Sequence, residues 1–100
     1  GVFILAVNEI AYLQAQGDFV FAFDQKGGKH ILNNSLNGLY ETLDPDLFFM
    51  INRSEVIHID SILKYNSYIK NRLAITLKNP SVVLYTSNNR TPKFREWLEK

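Results

Sequence analysis

Short runs of β-branched and aromatic residues recur along the whole chain, each closed within a few positions by glycine, proline, asparagine, aspartate or serine. No other feature constrains the fold as much. The runs are too short for long helices, and they lack the strand–helix–strand rhythm from which parallel sheets are built. What remains is a mainly antiparallel β domain with tight turns and two short helices.

The individual segments sharpen that reading. Val2 to Val7 opens the chain as a strand, and so abrupt a start suggests a module cut from a longer protein. "IAYLQAQ" (10–16) is β-compatible and partly alternating, whereas "FVFAF" (19–23) is apolar on both faces. The second pattern predicts a strand buried between packed layers, with Phe21 fully inside. Gly27-Gly28 marks a tight turn into "KHIL" (29–32), which gives a hairpin.

Ser35 precedes Leu36, Leu39, Tyr40 and Leu43, a stripe of about two turns. It predicts a helix capped by the serine and ended at Asp44-Pro45. "LFFMI" (47–51) and "EVIHI" (55–59) read as strands, and residues 60–63 as a single helical turn or bend. "LKYNSYI" (63–69) and "RLAITLK" (72–78) form a hairpin around Lys70-Asn71, with Leu73, Ile75 and Leu77 facing one way. Asn79-Pro80-Ser81 turns the chain into the strand "VVLYT" (82–86). A last helix follows, with Thr91 as cap, Pro92 in its first position, and Phe94, Trp97 and Leu98 on one face.

One hundred residues are enough for one domain with one core, so residues 1–100 are read as a single unit. A hydrophobic content of 46% places the chain among globular rather than disordered sequences. The longest apolar run is strand-sized and far from a membrane span, and no signal-peptide pattern is present. Without cysteine there are no disulfides or thiolate metal sites, which fits the cytoplasm. Net charge is only +1, but it is unevenly spread. Residues 1–50 carry two cations against six anions, and residues 51–100 carry nine against four. Positive charge concentrated in one half suits a polyanion, and a solvated surface with chance clustering accounts for it as well.

Catalytic and metal sites find little support. His58 and Asp60 share a strand face, but the three or four converging ligands of a metal site are missing. His30 has no acidic partner nearby in sequence. There is no nucleophile elbow and no glycine-rich phosphate loop after a strand, so neither enzyme nor cofactor is expected. Phe3, Phe19, Phe21, Phe23, Phe48, Phe49 and Trp97 sit in apolar company and read as core. Tyr65 and Tyr68, between Lys64 and Lys70, suit either a base-stacking platform or a solvent-facing sheet edge, and the edge is the simpler reading.

Three polar interruptions share one chemistry. Gln16-Gly17-Asp18 lies between two strands, Asn52-Arg53-Ser54 breaks an apolar run, and Ser87-Asn88-Asn89-Arg90 precedes the last helix. Each presents amides, hydroxyls or guanidinium from a connector on a rigid scaffold. Asparagine and arginine can bond base edges bidentately, and serine can hold a phosphate. The same residues are also ordinary turn formers. Three such connectors gathered on one edge would make a recognition surface.

With these blocks in order, the chain resembles a known family. "FFMINRSEVIHIDSI" is similar to the central signature of the LytTR DNA-binding domain, the output module of LytR/AlgR-class bacterial response regulators. "NEIAYLQAQGDFVFAF", "GGKHILNNSLNGLYETLDPDLFF", "NRLAITL" and "TSNNRTPKFREWL" resemble its flanking blocks, from about residue 4 onward. The resemblance implies three small antiparallel sheets with two short helices, and loops rather than a recognition helix entering successive major grooves of double-stranded DNA. It implies DNA contacts at Gly17, Asp18 and Phe19, at Asn52, Arg53 and Ser54, and at Ser87, Asn88, Asn89 and Arg90. It further implies an upstream receiver domain of a two-component system, or less often a membrane segment, a monomer when free, and two copies on direct-repeat DNA. Two positions depart from the pattern. Met50 stands where the family often has arginine, and Asn88 where it usually does. Both remove a cation, and with the near-zero net charge they motivate the alternative of a protein-interaction module of the same fold.

Overall fold

The computed structural model describes residues 5–100, and eight strands form its framework. β1 (Ile10–Gln16), β2 (Phe19–Asp24), β3 (Lys29–Leu32), β4 (Phe48–Asn52) and β5 (Glu55–His58) form one sheet in the order β3-β2-β1-β5-β4. β6 (Ile62–Tyr68), β7 (Arg72–Leu77) and β8 (Val83–Tyr85) form a second, in the order β6-β7-β8. Every pairing is antiparallel. The mainly β expectation therefore holds. In place of the three sheets that the resemblance implies there are two, of five and three strands, because β5 pairs with both β4 and β1 and merges two of them into one.

Each element follows from its residues. Gly27 takes a φ of +86° in the β2–β3 turn, and Asp24 accepts from Lys26 N and Gly28 N, both at 2.8 Å. α1 (Leu36–Thr42) starts where Ser35 Oγ accepts from Gly38 N at 3.1 Å. The β6–β7 turn places Lys70 and Asn71 at φ of +57° and +59°, which a two-residue hairpin needs at both central positions. Asparagine tolerates that region, but lysine there is strained by roughly 1–2 kcal/mol.

Two apolar clusters lie on opposite faces of the five-stranded sheet. On one face Leu13, Val20, Ala22, Phe48 and Val56 pack beneath Leu36 of α1. On the other, Tyr12, Phe49, Ile51 and Ile57 meet Leu73, Ile75 and Leu77 of the second sheet and Phe94 and Trp97 of α2 (Thr91–Glu99). The indole Nε1 of Trp97 donates to the Pro45 carbonyl at 2.8 Å, tying α2 to the chain just before β4.

Several expectations change. "FVFAF" is not buried on both faces: Val20 and Ala22 are, while Phe21 and Phe23 are half-buried and Phe19 is 55% exposed. The cluster shared with the second sheet and α2 takes in Phe23 of β2 but neither Phe21 nor Phe19. Phe21 is covered instead by the Lys29 ammonium, 4.2 Å from its ring centroid. The opening strand falls largely in residues 1–4, outside the described residues, as does Phe3; Val7 belongs to a single 3-10 turn, Val7–Glu9. The turn placed at 60–63 is a 3-10 turn at Ile59–Ser61, after which the chain enters β6. Arg90, not Thr91, occupies the cap position of α2, because the Thr91 hydroxyl is buried against Thr86 Oγ1 at 2.8 Å. His58 is buried, edge-on to Phe48 at 4.7 Å, and its Nδ1 accepts from Asp60 N at 2.9 Å. His30 meets Asp24 Oδ2 at 2.7 Å, a partner six residues away that the hairpin brings opposite. That bond, with the two turn amides, holds the Asp24 carboxyl below its ordinary value.

Candidate nucleic-acid interface

The β4–β5 turn explains why an apolar run breaks at residue 52. Asn52 Nδ2 donates to the Tyr85 carbonyl at 2.7 Å and to Glu55 Oε1 at 3.0 Å, and its Oδ1 accepts from Ser54 N at 2.8 Å. Both amide protons and one lone pair are thus committed within the fold. The amide links three strands and throws the intervening Arg53 outward. Arg53 is exposed and makes no hydrogen bond or ion pair among the described residues. Glu55, its nearest acidic neighbour in sequence, spends its carboxylate on Gln14 and Asn52. Asp60 is at the far end of β5, beside Gln25 and Lys78. Arg53 is therefore not a staple across the bend.

The segment after β8 is fastened to the same strand end. Ser87 N donates to the Ile51 carbonyl at 3.0 Å, and Arg90 Nε donates to the Met50 carbonyl at 2.9 Å. The Arg90 guanidinium also covers the Phe49 ring at 4.5 Å, so this cation is half-buried and oriented. Ser87 Oγ donates to Asn89 Oδ1 at 2.7 Å. Asn88 and Asn89 are exposed. Together Asn52, Arg53 and residues 87–90 line one open depression of about 470 Å³, whose floor includes Met50 and Tyr40.

Gly17, Asp18 and Phe19 are not part of that depression. They line a separate one with Asn33, Asn34 and Ser35. Gly17 has a φ of +59°, as the β1–β2 turn requires, and all three residues are exposed. This turn nonetheless lies at the same sheet end as the β4–β5 turn, since Ala15 N donates to the Ser54 carbonyl at 2.8 Å. A relay joins them: Gln16 Nε2 donates to Gln14, Gln14 Nε2 to Glu55, and Glu55 accepts from Asn52. Burial, with the charge of Glu55 added to it, pushes the Tyr12 phenol above its ordinary value.

Lys70, named above only as a turn residue and a neighbour of the two tyrosines, and Arg72, which the sequence did not single out, border Arg53, Ser54 and Asn88 in a neighbouring depression. Half of the signal was legible: with Leu73, Ile75 and Leu77 inward, Arg72 must point away from the core. That the β6–β7 tip docks beside the β4–β5 turn depends on how the two sheets pack, which no local pattern encodes. Tyr65 and Tyr68 are each 41% exposed, and Tyr65 leans edge-on to Phe94 at 5.7 Å. No group of acidic, histidine or cysteine residues suited to a metal ion occurs among the described residues. No helix among them is long and apolar enough to cross a membrane.

Comparison with known proteins agrees with this geometry. An uncharacterized response regulatory protein from Vibrio cholerae is 32% identical over 66 residues, covering 63% of this chain and 25% of that protein. The chain thus spans about a quarter of that relative. Its fold matches the LytTr DNA-binding domain of a protein from Bacillus cereus described as a methyl-accepting/DNA response regulator, with a TM-score of 0.88 and 16% identity. That match covers 96% of this chain and 86% of the other. The family model of the LytTr DNA-binding domain matches residues 1–99, and the chain belongs to that DNA-binding, transcription-regulating family.

Proposed function

We propose that this chain recognises a specific duplex DNA sequence by placing the β1–β2, β4–β5 and β8–α2 connectors against successive major grooves. In that reading Arg53, Asn88 and Asn89 reach base edges, Arg90 and Ser54 approach the backbone, and Gly17, Asp18, Phe19 and Ser87 shape the flanking contacts. Asn52 acts by holding the turn that presents Arg53. The observation that carries the proposal is the exposed, unpaired Arg53 beside Asn88 and Asn89, on connectors bonded to one rigid strand end. Bidentate arginine and amide groups on an immobile frame are what base readout needs.

The parent protein is then a cytoplasmic response regulator of a two-component system, with a receiver domain preceding this module, and two copies bind direct repeats. The test is titration of a duplex from the promoter of its own operon, across a salt series and against a scrambled duplex. Preference for the promoter with a steep salt dependence supports the reading. No binding at low salt would replace it with the interaction module, which the Met50 and Asn88 departures favour.

A further inference from the structure

Two open depressions meet at the tip of the β6–β7 hairpin, and no carboxylate lines either of them. One, of about 440 Å³, includes Asn71, Arg72, Asn88 and Arg95. The other, of about 420 Å³, includes Arg53, Lys70, Arg72 and Asn88. Arg72 and Asn88 belong to both, so the two adjoin. Four cations therefore border one trough, and none forms an ion pair among the described residues, where the pairs are His30–Asp24 and Lys100–Asp46. Like charges held together without counterions are a standing attraction for a polyanion.

Arg72 is built into this trough rather than draped over it. Its Nε donates to the Thr86 carbonyl at 3.0 Å, and its guanidinium carbon lies 5.3 Å from the Tyr68 ring centroid and 5.5 Å from that of Tyr85. These contacts fix the rotamer and shield its faces, while its two terminal nitrogens bond nothing among the described residues. Lys70 and Arg95 flank it as exposed charges. The rest of the lining is amide and hydroxyl apart from Pro92 and the two tyrosines, and both tyrosine rings already serve Arg72, so no large apolar side chain in it is left as the anchor a protein partner would use.

We infer that this hairpin tip is a phosphate clamp: Lys70, Arg72 and Arg95 grip the backbone of a nucleic-acid duplex while the adjoining connectors read its bases. The inference rests on the DNA-binding reading and extends it by dividing positioning contacts from sequence-reading ones. A clamp on phosphates is indifferent to sequence, and deleting any one of its cations lowers the slope of log affinity against log salt by about one unit.

The experiment measures binding of the parent chain and of Lys70→Gly, Arg95→Ala and Arg53→Ala to a promoter duplex and to a random-sequence duplex across a salt series. Lys70→Gly suits the positive φ, so the variant is expected to fold at least as stably as the parent while binding worse. Lys70→Gly and Arg95→Ala should weaken both duplexes by the same factor and flatten the salt slope, and Arg95→Lys should restore both. Arg53→Ala should instead narrow the gap between the promoter and the random duplex. Parental affinity and slope in Lys70→Gly and Arg95→Ala, with Arg53→Ala impaired, would overturn the clamp and leave the DNA-binding reading standing. A parent chain that binds neither duplex, or binds an acidic peptide in preference to both, would overturn the two together.

Discussion

Arg53 and Asn52 are neighbours with opposite tasks, and single substitutions separate them. Arg53→Ala should leave the melting temperature within a degree or two and cost about 1–3 kcal/mol of affinity for the specific duplex, read by fluorescence anisotropy. Lysine should rescue it poorly if the contact is a bidentate base contact and largely if it is a phosphate contact, because lysine keeps the charge and loses the fork. Asn52→Ala strands the Tyr85 carbonyl and the Ser54 amide in a half-buried turn. It should lower stability by about 1–3 kcal/mol in urea titrations, with DNA affinity falling as a consequence. His58 gives the residue scale a pH dependence. Burial pushes its imidazole below the ordinary 6.5, with Asp60 partly opposing. The unfolded chain therefore takes up the proton first as pH falls. Stability should be full above about pH 6.5 and decline below it, by at most about 1.4 kcal/mol per pH unit. In His58→Gln that decline should be missing from denaturation curves recorded between neutral and mildly acidic pH.

Elements differ in how much of their apolar surface the fold covers. β2 turns Val20 and Ala22 toward α1, but its Phe19 and Phe21 rings lie 6.4 Å apart, outside the cluster shared with the second sheet. Phe21→Ala should accordingly cost only about 1–1.5 kcal/mol, roughly half the transfer free energy of a buried phenylalanine. α2 is the contrast. Phe94 is fully buried, 5.7 Å from Phe49 and 5.9 Å from Trp97. Phe94→Ala should cost about 3–5 kcal/mol and loosen the attachment of residues 87–90, seen as both a lower melting temperature and weaker DNA binding. The junction between β8 and α2 is polar inside: Thr86 Oγ1 accepts from Leu73 N at 2.8 Å and bonds the Thr91 hydroxyl. Chain direction at this junction is set by hydrogen bonds, not by apolar contact.

At the scale of the whole molecule, two clusters on opposite faces of one sheet make a rigid bar, 44 Å long and 25 × 24 Å across. The connectors at one end of the five-stranded sheet inherit that rigidity, which spares a binding surface the entropy of ordering loops. Sedimentation should show a monomer for the free chain and two copies on a direct-repeat duplex. A stable dimer in the absence of DNA would contradict that stoichiometry.

Local information was sufficient wherever the cause was local. β1 was legible in residues 10–16, the α1 cap in Ser35, the hairpin in Gly27-Gly28, and the inward face of β7 in the alternation of Leu73, Ile75 and Leu77, since each depends on neighbours a few positions away. The three polar connectors were legible as breaks in apolar runs, and the order of those blocks carried the family. What the chain alone left open was decided by contacts between distant segments. Whether Phe21 is covered depends on where the second sheet packs. The partner of His30 depends on hairpin register. Asn52 became a staple and Arg53 the exposed group only because the carbonyl of Tyr85, 33 positions away, arrives beside the turn. A residue's chemistry is written in its own side chain, but its exposure and its partners are properties of whatever the fold packs against it.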